Sequence, residues 1–136
     1  MELTLEQVRQ AHVGTLAELL GVRFVEASKQ RVVCELEMRP HLTTFGGGVH
    51  GGVLMAFADI AGALGAALNL PPGHRTSTME SKQNFVGSIR EGVMRAAAEP
   101  LHLGSRTMVW RTEVREAVSG RLLAHVVQTQ MTLPLG

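Results

Sequence analysis

Residues 51–69 read GGVLMAFADIAGALGAALN, and Asp59 is the one charged side chain among them. Pro71 and Pro72 follow and cannot continue a helix, so the spacing predicts a helix over about 51–69. Apolar or small residues occupy every face of it, and such a helix must be covered all round. The apolar run from residue 53 to 68 falls short of the roughly 20 residues a membrane span needs, and it carries a central acid. It reads as the core helix of a folded domain, with no membrane partner. Ala58, Ala61, Gly62, Gly65 and Ala66 give it a surface on which strands can sit close.

The rest of the chain supplies the cover. Residues 4–20 place Leu5, Val8, Ala11, Leu16, Leu19 and Leu20 at helical spacing, with Thr4 as N-cap and Gly21 as stop. The period then changes to two: VRFVEA and QRVVCELEM alternate as strands joined at Ser28, Lys29 and Gln30, which predicts a hairpin. Residues 39–49, with Pro40, two threonines and three consecutive glycines, read as loop. Beyond the core helix, RTSTMESKQNFV, GVMRAAAEPLHL, RTMVWRTEVREA and RLLAHVVQTQMTL predict about four strands in meander, the last two linked at Ser119 and Gly120. The economical arrangement is an α+β fold, a curved antiparallel sheet wrapped around one long apolar helix. With 136 residues, residues 1–136 form a single domain.

Charge and cysteine narrow the function classes. Thirteen Lys plus Arg against twelve Asp plus Glu, interleaved, leave a net charge of +1, with no clustered basic face for a nucleic acid. Cys34 is the only cysteine, so no intrachain disulfide forms. No basic region followed by an apolar run opens the chain, and the expected location is cytoplasmic. His12, His41, His74, His102 and His125 show no H-E-x-x-H or close ligand pairing, so no metal is assigned.

Asp59 points to a site, because an unpaired buried carboxylate is costly and perturbed acids in apolar surroundings concentrate where chemistry is done. Nine residues upstream, His50, Gly51 and Gly52 open the helix, with backbone N–H groups that lack intrahelical partners and can bind an anion or polarise a carbonyl. Two turns, roughly 11 Å, separate those groups from the acid, which does not easily reach a carbonyl held at the start of its own helix, and a second copy of the chain can supply it. Gly46 to Gly51 also satisfies G-x-G-x-x-G, but no strand immediately precedes it, and Pro71 stands where a dinucleotide site needs an acid.

HGGVLMAFAD, TMESKQNF and the pair HLGSRT with SGRLLAHVVQTQMTL, in that order, resemble hotdog-fold acyl-CoA thioesterases of the phenylacetate-degradation type, over residues 21–133. The resemblance implies a hotdog fold, homodimers with two interface sites, and dimers of dimers, hence a homotetramer. It implies hydrolysis of acyl-CoA thioesters with Asp59 as nucleophile or general base. Gly51 donates its N–H to the thioester oxygen from the other protomer, beside Gly52. His50 orients that turn or the thioester sulfur, and Thr78 helps place the attacking water. Coenzyme A enters as part of the substrate, and no cofactor is implied. Thr44 stands where the family commonly has Asn or Gln, and Gly87 and Ser88 where it commonly has Pro.

Arg90 and Arg106, with Ser105, fall near where such enzymes hold the phosphates of coenzyme A, and the guanidinium fork suits phosphate. Met55 and Phe57, beside Asp59 on the helix, are candidates to line an acyl pocket. Cys34 reads as a core hydrophobe, and Trp110 as a sheet residue packing over the helix or between protomers. Two other functions share the fold. An enoyl-thioester hydratase pairs its Asp with a nearby His, and none follows Asp59 closely. A non-catalytic acyl-thioester sensor or scaffold gains nothing from a buried acid.

Overall fold

The computed structural model describes residues 2–136. Its chain starts with α1 (Leu5–Ala11), closed by a capping box in which Thr4 Oγ1 accepts from the Gln7 N–H and Gln7 Oε1 from the Thr4 N–H. The single helix expected over 4–20 is two, because Gly14 takes a left-handed φ of 78° and Thr15 begins α2 (Leu16–Leu20). A glycine inside a short helix costs about 1 kcal/mol against alanine, and here it turns the chain instead. Gly21, at φ 85°, ends α2 at the predicted stop.

Six strands form one antiparallel sheet: β1 (Arg23–Ala27), β2 (Val32–Glu37), β3 (His74–Phe85), β4 (Val93–Leu103), β5 (Thr107–Glu116) and β6 (Leu122–Pro134). The β1–β2 hairpin pairs Phe24 with Cys34 and Ala27 with Val32. The strand order is β1-β2-β4-β5-β6-β3, which corrects the expected four-strand meander. Only β4, β5 and β6 meander; β3 pairs with β6 and stands at the edge. Tight turns at Gly104 and Ser119–Gly120 enforce the two meander junctions. Residues 86–92, between β3 and β4, exceed a hairpin turn and let the chain cross. Gly87 closes the end of β3, where a Cβ would lie 2.7 Å from the Leu122 carbonyl oxygen.

The core helix α3 (Gly51–Leu68) packs on β2, β3, β4, β5 and β6. The sheet presents an alternating inner face to it: Met94, Ala96 and Ala98 on β4, Met108, Trp110 and Val114 on β5, Ala124 and Val126 on β6. Small residues on α3 set the spacing. Trp110 is fully buried against Gly65, where any added Cβ would overlap its ring, so Trp110 packs over the helix of its own chain. Phe57 is also fully buried in this core, while Met55, two residues earlier, stays 44% exposed.

Two outcomes follow from this packing. Gly65→Ala adds helix propensity but drives a methyl into the Trp110 ring, and a net destabilisation of about 1–2 kcal/mol is expected in urea unfolding. Cys34 is fully buried and burial pushes its thiol up to about 12, so it is expected to resist alkylation at pH 8 in the folded protein and to react at once in denaturant.

Candidate active site

Asp59 is half-buried at the middle of α3, on the side facing β3 and β6. Thr78 Oγ1 donates to Asp59 Oδ1 at 2.7 Å, and Gln128 Nε2 donates to the same oxygen at 3.0 Å. Gln130 Nε2 donates to Thr78 Oγ1 at 2.7 Å, and Thr76 Oγ1 to Gln130 Oε1 at 2.9 Å. The register explains the grouping. Thr78 lies opposite Gln130 across the β3–β6 ladder, and a bulge immediately after Thr78 ends that run of regular pairing. Asp59 Oδ2 has no hydrogen bond among the described residues. The result is a carboxylate held at one oxygen and open at the other.

The opening turn of α3 is built by its own cap. His50 takes an extended backbone (φ −68°, ψ 135°), and its Nδ1 accepts from the Gly52 N–H at 2.7 Å. Acceptance at Nδ1 leaves the proton of the neutral ring on Nε2, at an exposed position. With Gly52 satisfied, the N–H of Gly51 is left without a partner among the described residues. The Phe85 ring covers Gly51, 3.4 Å from where a Cβ would be. Asp59 comes eight residues later, about 12 Å along the axis, so one chain does not bring Gly51 and Asp59 together.

The other predicted residues fall into two groups at opposite ends of the sheet. Thr44 and Arg90 line a cleft of about 760 Å³ with Gly46, Gly48, Ser88 and Arg121, at the end where β3 finishes. Thr44 is exposed, and its backbone closes the glycine turn, the Thr44 N–H to the Gly48 oxygen at 2.7 Å and the Gly47 N–H to the Thr44 oxygen at 2.8 Å. Arg90 lies over Gly47, whose left-handed φ of 91° and missing side chain admit the guanidinium. Ser105 and Arg106 sit in the β4–β5 turn at the other end, where the Thr132 N–H donates to the Arg106 carbonyl at 2.9 Å. Asp59 lines none of that cleft, whose walls come from residues 44–48, 88–91 and 116–121. Among the described residues no three of His, Cys, Asp and Glu gather as a metal site.

Sequence reasoning missed Gln128 and Gln130. The signal was present: in VVQTQM the strand alternation puts both glutamines on the same face as Ala124 and Val126, where a half-buried strand carries apolar residues.

Comparisons with known proteins identify the family and the fold. The profile of the Thioesterase superfamily matches residues 46–122. A 1,4-dihydroxy-2-naphthoyl-CoA hydrolase of Listeria monocytogenes is 31% identical over 101 residues, 74% of this chain and 82% of the relative. The enzyme of that name in Escherichia coli is 29% identical over 121 residues, 89% of this chain and 88% of the relative. In three dimensions a thioesterase of Haemophilus influenzae superposes with a TM-score of 0.93, covering 99% of this chain and 94% of its own, at 24% identity, a likeness of fold. The fold, a six-stranded sheet wrapped around α3, is the hotdog fold, and the chain belongs to the Thioesterase superfamily, as an enzyme that hydrolyses thioesters.

Proposed function

We propose that the chain hydrolyses acyl-CoA thioesters to the free acid and coenzyme A, in a site completed by a second copy of itself. The observation that carries this reading is the division of labour along α3. A carboxylate oxygen without a partner and a helix-start N–H without a partner lie about 12 Å apart on one rod, beside an open sheet edge. Along β3, Thr78 stands beside Asp59 and Phe85 beside Gly51. An antiparallel copy of β3 placed about a two-fold axis near Ser81 therefore sets Asp59 of one chain against Gly51 of the other. Glu80 and Lys82 flank Ser81, so an axis there brings opposite charges of the two chains close to one another. It also places Ser105 and Arg106 of the chain that supplies Asp59 at the same end as Arg90 of the chain that supplies Gly51, and together they suit the phosphates of coenzyme A.

The chemistry then follows from the residues. The Gly51 N–H takes the thioester oxygen, and its helix start stabilises the negative charge that develops there. Asp59 Oδ2 removes a proton from water held near Thr78, and the oxygen of that water forms a bond to the carbonyl carbon. The tetrahedral intermediate collapses, the carbon–sulfur bond breaks, and the sulfur leaves as a thiolate that receives the proton from Asp59. Thiolate is a good leaving group, its conjugate acid near pKa 8.5 by analogy with cysteine, so protonation need not precede bond breaking. The His50 Nε2–H is available to the sulfur. Side chains, one backbone N–H and water perform every step, and coenzyme A enters only as substrate. Phe85, over Gly51, and Met55, one turn before Asp59 on α3, are exposed and offer apolar surface for the acyl group. The Listeria and Escherichia hydrolases act on an aromatic acyl-CoA by their names, which supports aromatic acyl groups here. The H-G-G to acid spacing groups the chain with the phenylacetate-degradation type. Pairing of such dimers into tetramers and a cytoplasmic setting, where Cys34 stays reduced, complete the reading.

Two experiments test it. Asp59→Asn is expected to lower kcat on aromatic acyl-CoA esters by about 10² to 10⁴ while ligand binding and the folded state persist, read by thiol release and by calorimetry; full activity in this variant refutes the role. Gly51→Pro removes one N–H at a helix position that tolerates proline, and alone it is expected to cost about 10² to 10³ in kcat. Mixed and allowed to exchange, the two inactive variants are expected to recover about a quarter of native activity, because each mixed dimer holds one intact site. A site contained in one chain recovers none.

A further inference from the structure

Two glutamines on the inner face of β6 have no role in the account above. Gln128 and Gln130 are both fully buried, in a strand whose neighbouring inward positions are Ala124 and Val126. Burying an amide is unfavourable unless its hydrogen bonds are made, yet Gln128 Oε1 is buried with no partner among the described residues. Gln128 is thus half satisfied, and the half that is satisfied is the N–H that reaches Asp59 Oδ1 at 3.0 Å. The fold makes room for this amide at a specific place, since a Cβ on Gly62 would overlap it.

Gln130 acts on the same carboxylate through Thr78. Thr76 Oγ1 donates to Gln130 Oε1, Gln130 Nε2 donates to Thr78 Oγ1, and Thr78 Oγ1 donates to Asp59 Oδ1. Each donor in this chain points toward the carboxylate. Acceptance from Thr76 fixes the Gln130 amide with its NH₂ toward Thr78, and that NH₂ in turn leaves the Thr78 hydroxyl proton for Asp59. Two donors from different directions, Thr78 and Gln128, then meet at Oδ1. That oxygen is occupied and the carboxylate plane is set.

We infer that Gln128 and Gln130 are positioning residues that lock Asp59 through Oδ1 and so present Oδ2 to water. The inference rests on the proposed thioester hydrolysis and adds that the aim of the base is built by β6. Methionine matches glutamine in length without its hydrogen bonds, so the test compares Gln128→Met and Gln130→Met with the native enzyme. For Gln128→Met, kcat is expected to fall about tenfold or more with KM changed less than about twofold, while the unfolding midpoint holds or rises because an unpartnered amide oxygen is gone. Gln130→Met is expected to lower kcat less, and to have no further effect when Thr78 is already Val, because it works through Thr78. Native kcat in Gln128→Met overturns the inference while leaving hydrolysis intact. A separate readout needs no turnover: the side-chain amide protons of Gln128, followed by NMR, are expected to exchange slowly with solvent and to shift in Asp59→Asn. An unmoved resonance overturns the inference even where no offered thioester is cleaved, whereas a moved resonance without hydrolysis upholds the contact and overturns only the proposed reaction.

Discussion

Close approach between α3 and the two strands β5 and β6 is the constraint on which the rest of the structure depends. Gly65 admits the Trp110 ring and Gly62 admits the Gln128 amide, so two long side chains of the sheet reach right to the backbone of the helix. A helix with ordinary side chains there would stand farther off, and Gln128 would no longer span the gap to Asp59. The same two glycines therefore fix the core and the environment of the carboxylate. Packing density in this layer works as a ruler for the chemistry.

The helix also separates its two chemical ends. Its start carries the partial positive charge of unpartnered N–H groups and has a histidine cap that satisfies only Gly52. Its middle carries a carboxylate, held by donors from two strands. A rigid rod cannot fold these onto one another, and an acid adjacent to the helix start would compete with a substrate oxygen for the same N–H. Keeping them eight residues apart prevents that self-neutralisation within a chain.

Much of this was legible in the sequence because it is local. An apolar helix with one acid, its proline stop, the β1–β2 hairpin and the tight turns at Ser119 and Gly120 are each written within a few neighbouring residues. The placement of β3 was not, since nothing local distinguishes a strand that pairs with its successor from one that crosses to β6. The split of the first helix turned on Gly14, which helical periodicity alone passes over. Phe57 and Met55 illustrate the same limit: both lie within one turn of Asp59, and only the direction of the sheet tells which is core and which is exposed. Gln128 and Gln130 were recoverable from strand alternation, but a polar residue on an inward face gains meaning only once its cross-strand partners are known.

The edge strand β3 has a further consequence. Twelve residues of extended backbone with one side unpaired form a template for any β-prone segment, and aggregation starts at such edges. The bulge after Thr78 and the adjacent charges of Glu80 and Lys82 interrupt this edge and make it a poor match for most foreign strands. In the proposed dimer the same few residues guard this edge and align the two halves of the site. A change along β3 that broke the proposed pairing would at the same time leave this edge open to misassembly.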